Sequence, residues 1–194
     1  MLDKLTTTNA MGGCWDDLKC QKNGFYDLDD EEDNGSNFSI FYKVSKMLKI
    51  KKNQIAVARF DGIIKIWDYS NESCLKVLGG RHASRIRSLI RIGKSQIASG
   101  SEDNLIKIWD FDTGLCLKTL TAHDNISFGL TKLSNNQIVG CTVDFTIKIW
   151  DSKTGDCIKS IKDDEYFISL VKLNKTQIVC CGYLGIIRIK NLDL

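Results

Sequence analysis

At 194 residues the chain is long enough to bury a sizeable core, as one domain or as part of a larger one. It is 43% hydrophobic, yet no run of 18 apolar residues occurs, so neither a transmembrane helix nor membrane insertion is expected, and no charged-then-apolar leader marks a secretory signal. The formal charge of +3 is unevenly spread: residues 1–39 hold three lysines against nine acidic residues, and residues 40–194 hold 24 basic against 15 acidic ones.

Residues 1–39 read as an acidic, flexible segment. The run DLDDEED at 27–33, followed by Asn34-Gly35-Ser36, has the composition of a solvated linker. Trp15, Phe25 and Tyr26 suffice for a short ordered piece but not for a domain. Cys14 and Cys20 are not spaced as a CxxC pair, and no metal site is expected.

From residue 40 onward the chain repeats itself. IIKIWD ends at Asp68, LIKIWD at Asp110 and TIKIWD at Asp151, and a weaker copy, IIRIKN, ends at Asn191. Gln54, Gln96, Gln137 and Gln177, each followed by Ile, keep the same register, as do Cys74, Cys116 and Cys157, each seven residues after its Trp. Three markers in phase at a period near 41 predict a repeat architecture.

Each repeat divides into short strands. IIKIW alternates apolar and basic residues, the period-2 pattern of a strand with one wet face, which makes Lys65, Lys107, Lys148 and Arg188 solubilising charges. The stretches from the four glutamines are β-rich and close in tight turns such as Asp61-Gly62 and Asp103-Asn104. RIRSLIRI and YFISLVKL precede two of them, and CLKVL, CLKTL and CIKSI follow the Trp-Asp pairs. That makes four strands per repeat with no helical periodicity, in a chain without proline.

The period and the Trp-Asp pairs resemble WD40 repeats, whose blades are four-stranded sheets of a β-propeller. The resemblance covers residues 40–194. It implies an all-β propeller of about four repeats, with strands a to c of successive blades near 40–68, 83–110, 125–151 and 165–191 and the last blade lacking its outer strand. It also implies a role in docking proteins or peptides.

In repeat two, His82, Ser99, Asp103 and Trp109 contain the residue types of a hydrolytic triad. No GxSxG elbow surrounds Ser99, and the resemblance implies instead a structural hydrogen-bond tetrad that ties a loop to its blade. Repeat three keeps His123, Asp144 and Trp150, with Gly140 in the serine slot. Repeat one keeps Asp61 and Trp67, with Val57 and Ile40 in the other two slots. Repeat four has lost the set, with Asp163, Cys180, Leu184 and Lys190 in the four positions. Blade two is therefore expected to be the most rigid and blade four the softest.

No catalytic residue, metal or cofactor is predicted. The resemblance gathers the loops carrying Arg81 and Arg85, and Arg59, Phe60, Glu102, Val143 and Tyr183, on one face as candidate partner-binding residues, rich in the types that carry interface energy. Cys74, Cys116 and Cys157 are expected to pack as small apolar residues, reduced, in a protein of the cytosol or nucleus. The reading is a non-enzymatic scaffold or adaptor for other proteins. Nucleic-acid or anionic-surface binding through the basic body ranks below it, since no RNA- or DNA-reading motif is present. Three closures of the propeller stay open: a strained four-bladed ring, half of a homodimeric ring, or part of a larger protein with additional blades, with the last favoured.

Overall fold

A computed structural model of the chain describes residues 43–121, 127–142 and 144–192, so the segment 1–39, Ile40, His123 and Val143 lie outside the described residues. Blade one comprises β1 (Val44–Lys49), β2 (Gln54–Arg59), β3 (Ile64–Asp68) and β4 (Ser73–Val77). Blade two comprises β5 (Ile86–Arg91), β6 (Gln96–Ser101), β7 (Leu105–Asp110) and β8 (Cys116–Thr121). Blade three comprises β9 (Ser127–Lys132), β10 (Gln137–Thr142), β11 (Thr146–Asp151) and β12 (Cys157–Lys162). A three-stranded sheet follows, of β13 (Phe167–Lys172), β14 (Gln177–Gly182) and β15 (Ile187–Asn191). Every sheet is an antiparallel meander in chain order. The described residues contain no helix, and hence none long and apolar enough to cross a membrane.

The sequence markers sit at the hairpins. The carbonyls of Gln54, Gln96, Gln137 and Gln177 accept from the N–H groups of Ile50, Ile92, Leu133 and Leu173 at 2.9–3.0 Å, closing each blade's first hairpin. The Asp of each Trp-Asp pair caps the third hairpin. Asp110 Oδ1 accepts from the Asp112 and Thr113 N–H groups at 3.0 and 2.8 Å, and Asp151 Oδ1 from those of Lys153 and Thr154 at 2.7 and 3.0 Å. Asp68 accepts from the Ser70 hydroxyl and N–H. Hydrogen bonds of this kind hold all three carboxyls below the usual carboxylate range, led by the Ser70 hydroxyl at Asp68, the Ser95 hydroxyl at Asp110 and the Thr154 N–H at Asp151. Trp67 pairs with Cys74, Trp109 with Cys116 and Trp150 with Cys157 across a register shift in each hairpin, which accounts for the seven-residue spacing.

Each blade packs its forward face on the rear face of the next. Ala56, Ala58, Ile64 and Ile66 of blade one meet Leu89, Ile97 and Trp109 of blade two. Ala98, Ile106 and Ile108 meet Leu130, Ile138 and Trp150, and Val139, Ile147 and Ile149 meet Phe167, Leu170 and Ile178. The expectation of one wet face is corrected: Lys65 and Lys148 are buried, and Lys107 and Arg188 are half-buried. Innermost strands touch in the order β1, β5, β9, β13, and among the described residues β13 does not pack on β1, so the four sheets form an open arc.

Polar links reinforce each junction. Lys76 Nζ donates to the Asp112 carbonyl, Lys118 Nζ to the Thr154 carbonyl at 3.0 Å and Lys159 Nζ to the Leu192 carbonyl at 2.8 Å. At the inner end, Arg91 donates to the Ile50 carbonyl and Lys172 to the Leu133 carbonyl, both at 2.5 Å. The cysteines divide differently from expectation: Cys116, Cys141, Cys157, Cys180 and Cys181 are free thiols, Cys157 is exposed, and Cys74 is disulfide-bonded.

Gly62 shows how closely blades approach. Its φ is +83°, and a Cβ there would lie 2.2 Å from the His82 carbonyl oxygen of blade two. Gly185, in the matching turn of the fourth sheet, has φ +82° with nothing within 4 Å. Gly185→Ala should therefore cost only the left-handed strain, about 1–2 kcal/mol. Gly62→Ala adds a clash with main chain and should cost about 2–5 kcal/mol in all. Urea denaturation of the two variants measures the gap, and equal losses would refute the blade contact at Gly62.

Candidate functional site

In blade two the turn after β6 and the loop before β5 meet over the Trp109 indole. The Trp109 Nε1–H donates to Ser99 Oγ at 2.8 Å, and Ser99 Oγ lies 2.7 Å from His82 Nε2. His82 Nδ1 lies 2.8 Å from Asp103 Oδ2, which also accepts from the Ala83 N–H at 2.9 Å. The indole can only donate, so the Ser99 hydroxyl accepts from it and passes its own proton to His82 Nε2. The fully satisfied state is then a neutral imidazole with its proton on Nδ1, directed at the Asp103 carboxylate. Burial pushes the Asp103 carboxyl up, but hydrogen bonds from His82 and from the Ala83 and Leu105 N–H groups outweigh it and hold it below the usual range.

This geometry uses the triad residues up. His82, Ser99 and Trp109 are fully buried, and Ser99 Oγ turns a lone pair to the indole and its proton to the imidazole rather than to a cleft. The two buried thiols offer no better nucleophile, since burial pushes Cys141 up to about 12 and Cys180 up to about 11. Among the described residues no group of His, Cys, Asp and Glu is arranged to hold a metal.

In the other blades the corresponding turn residues bond differently. In blade three Gly140 faces the indole, and Trp150 Nε1 is buried with no partner among the described residues. Asp144 instead accepts from the Thr142 and Thr146 hydroxyls within its own turn. Burial raises that carboxyl, and these bonds bring it below its ordinary value. In blade one Asp61 accepts from the Ile63 N–H at 3.0 Å and pairs with Arg59 at 3.1 Å. In the fourth sheet the sequence suggests that the link is lost, but the side chain of Asp163 is buried and ion-pairs with Lys190, with Arg188 at 3.5 Å. Histidine and tryptophan are thus replaced there by a carboxylate and an ammonium that span the same gap, an exchange that a search for residue identity misses.

The candidate partner residues are scattered in exposure. Arg59 is buried against Asp61, so its guanidinium does not face outward. Arg81 is exposed, and Arg85 stacks on the Phe60 ring at 3.9 Å. Glu102 is half-buried and bonded to Arg87 Nε at 2.6 Å, a partner the sequence reading did not single out. Tyr183 is exposed and packs on Tyr166 at 5.9 Å, which in turn meets Phe145 edge-on at 6.3 Å. Phe145 and Tyr166 were also missed. The signal for Phe145 was its place in the turn slot occupied elsewhere by Gly62, Asn104 and Gly185, all at positive φ; Phe145 itself sits at φ 64°.

A family model described as "WD domain, G-beta repeat" matches residues 72–110 and 114–151. No curated protein matches the chain. Among solved structures it is similar to the WD40 β-propeller domain of Doa1, at 27% identity and a TM-score of 0.69 over 75% of this chain, and it spans 50% of that one. It is also similar to two computationally designed proteins. For Ika4 the identity is 25% and the TM-score 0.67, over 77% of this chain and 91% of that one. For Ika8 they are 26% and 0.66, over 76% and 45%.

Two measurements test the loop links. The depressed Asp103 contributes stability that is present above its unfolded value near pH ~3.9 and is lost as pH falls through its lower folded pKa. The stability difference between the wild type and Asp103→Asn should therefore hold at pH 5–7 and shrink below about pH 4; a difference constant to pH 2 would contradict the assignment. In the fourth sheet, Lys190→Met should cost about 1–3 kcal/mol by removing the ammonium from a buried carboxylate that keeps Arg188 at 3.5 Å. Asp163→Asn combined with Lys190→Met should cost less than Lys190→Met alone, as read by a double-mutant cycle.

Proposed function

The chain carries WD40 repeats folded as propeller blades, and on that premise we propose that it is a non-catalytic scaffold that docks other proteins or peptides on the face formed by its loops and turns. The carrying observation is the contrast between spent and available side chains. The groups with chemical potential are buried in structural bonds: Ser99 and His82 in the tetrad, Asp163 and Lys190 in an ion pair. The groups left outward at the turns are Arg81, the Arg85–Phe60 stack and the Phe145–Tyr166–Tyr183 cluster. Arginine and aromatic side chains at a rigid site supply contact area at small entropic cost.

Binding of nucleic acid or anionic surfaces through the basic excess receives less support. Lys76, Lys118, Lys159, Arg91 and Lys172 donate to carbonyls of neighbouring blades, and Lys65 and Lys148 are buried. Much of the positive charge is therefore committed within the fold.

The reading is tested by immobilising the full chain and measuring saturable binding of proteins or peptides at physiological salt. Arg85→Ala with Tyr183→Ala should weaken a bound partner by roughly 10-fold or more, about 1.4 kcal/mol or above, while the thermal melt stays in place. An unchanged affinity would move the site off this face. A hydrolytic activity abolished by Ser99→Ala in a folded protein would overturn the scaffold reading.

A further inference from the structure

Aromatic rings in this fold commonly carry a cation of the same chain. Phe60 carries Arg85 at 3.9 Å, Phe111 carries Arg91 at 5.7 Å and Phe167 carries Lys190 at 5.9 Å. Among the described residues no cation stands over Phe145 or Tyr183, which are 45% and 70% exposed. Main-chain bonds hold the turns of this group together. The Asp163 N–H donates to the Phe145 carbonyl and the Tyr183 N–H to the Tyr166 carbonyl, both at 2.8 Å. The Tyr166 ring is inclined by 66° to Phe145 and by 44° to Tyr183, so neither pair is stacked face to face. An open aromatic face attracts a cation through the ring quadrupole.

A carboxylate of the same turn stands beside the rings. Glu165 is half-buried, and its side chain lies against Gly182, the residue before Tyr183: a Cβ on Gly182 would come 2.7 Å from Glu165 Oε1. The other two acids of the turn are neutralised within the sheet, Asp163 by Lys190 and Arg188, and Asp164 by Arg188 at 2.7 Å. Glu165 forms no ion pair among the described residues. Arg87, whose charge reaches Tyr166 from blade two, is itself bound to Glu102 through Nε at 2.6 Å. A half-buried carboxylate is less screened than one in open water, so it attracts a cation more strongly.

We propose that Phe145, Tyr166, Tyr183 and Glu165 form a seat for one cationic side chain, the lysine or arginine of a docked protein segment. This rests on the reading of the loop face as a docking surface and adds what the docked segment carries. The occupant follows from charge complementarity. A lysine or arginine lays its apolar stem along the rings and brings its charge to the carboxylate. An acidic side chain would meet Glu165 as a like charge, and an apolar one would desolvate that carboxylate without pairing it. The left-handed backbone at Phe145, φ 64°, holds one ring of the seat in place, and the main-chain bonds between the turns mean that little order has to be gained on binding.

The test uses the full chain and mixtures of nonapeptides whose central residue is fixed as Arg, Lys, Leu or Glu and whose other positions are randomised, with binding measured at physiological salt. The Arg and Lys mixtures should bind about 10-fold more tightly than the Leu mixture, and the Glu mixture should bind least. Glu165→Gln and, separately, Tyr183→Leu should each bring the ratio of Arg to Leu binding towards one with the thermal melt in place. Asp156→Asn removes the same charge from the turn between β11 and β12, at the opposite end of the strands, and should leave the ratio unchanged. Equal binding of the Arg, Lys and Leu mixtures, a preference that survives both substitutions, or an equal loss with Asp156→Asn would overturn the cation seat and leave docking on this face intact. Binding by none of the mixtures would overturn the docking reading together with the seat. If Glu165→Gln fails to fold, Tyr183→Leu alone decides.

Discussion

A β-sheet that is apolar on both faces has no stable existence alone, and the rest of this structure follows from that constraint. The middle strands read IIKIW, LIKIW and TIKIW, with isoleucines directed forward and the Trp directed to the rear. Burying one such side chain is worth about 1.5–3 kcal/mol, so most of the stabilisation lies at junctions rather than within blades. That is the energetics of a repeat protein, in which each unit is held chiefly by its neighbours. The lysine and arginine links across each junction follow from it. They tie a side chain of one blade to a carbonyl of another, and hydrogen bonds from charged donors are the stronger kind.

The second requirement is to anchor the loop that carries the chain from one blade to the next. Blade two does so with a chain of hydrogen bonds from indole to carboxylate. Blade three has a glycine where the serine would stand, and a Cβ at Gly140 would meet Leu130 Cδ2 at 2.7 Å and the Gly129 carbonyl at 3.1 Å. The small residue fits the packing and leaves the Trp150 donor without the hydroxyl that Ser99 supplies to Trp109. A stranded donor of this kind costs about 1–3 kcal/mol, which the surrounding apolar contacts of blade three must absorb. The fourth sheet spans the gap with an ion pair instead. Blade two and the fourth sheet therefore make the same connection between loop and third strand with different atoms.

That distinction explains what could be read from the chain. The four glutamines, the Trp-Asp pairs and the seven-residue Trp-to-Cys spacing mark hairpins, and a hairpin is a local object whose residues are close in sequence. Strand positions and the all-β class were legible for that reason. The wet face assigned to Lys65 and Lys148 was a misreading, because a period of two records which side a residue faces and cannot say whether that side is covered. The Lys76, Lys118 and Lys159 links were invisible because each partner is a main-chain carbonyl more than thirty residues away, which leaves no mark in composition. The Asp163–Lys190 pair was overlooked because two substitutions that each look like a loss are compensating only when seen together.

At the three junctions the blade faces are consumed by packing, so between them the turns and loops are what stays open without disturbing the core. Phe145 fits that division. It holds a left-handed backbone conformation, at φ 64°, in a slot filled elsewhere by glycine or asparagine, and a bulky residue there costs about 1–2 kcal/mol. Its ring is half open and lies against Tyr166 rather than in a core. A glycine would relieve the strain and lose only exposed aromatic surface, so nothing in the stability of blade three calls for the phenyl ring. Strain kept at an outward-facing side chain supports the contact role proposed for this face, and Phe145 lies near Tyr183, where three aromatic rings of the described residues meet.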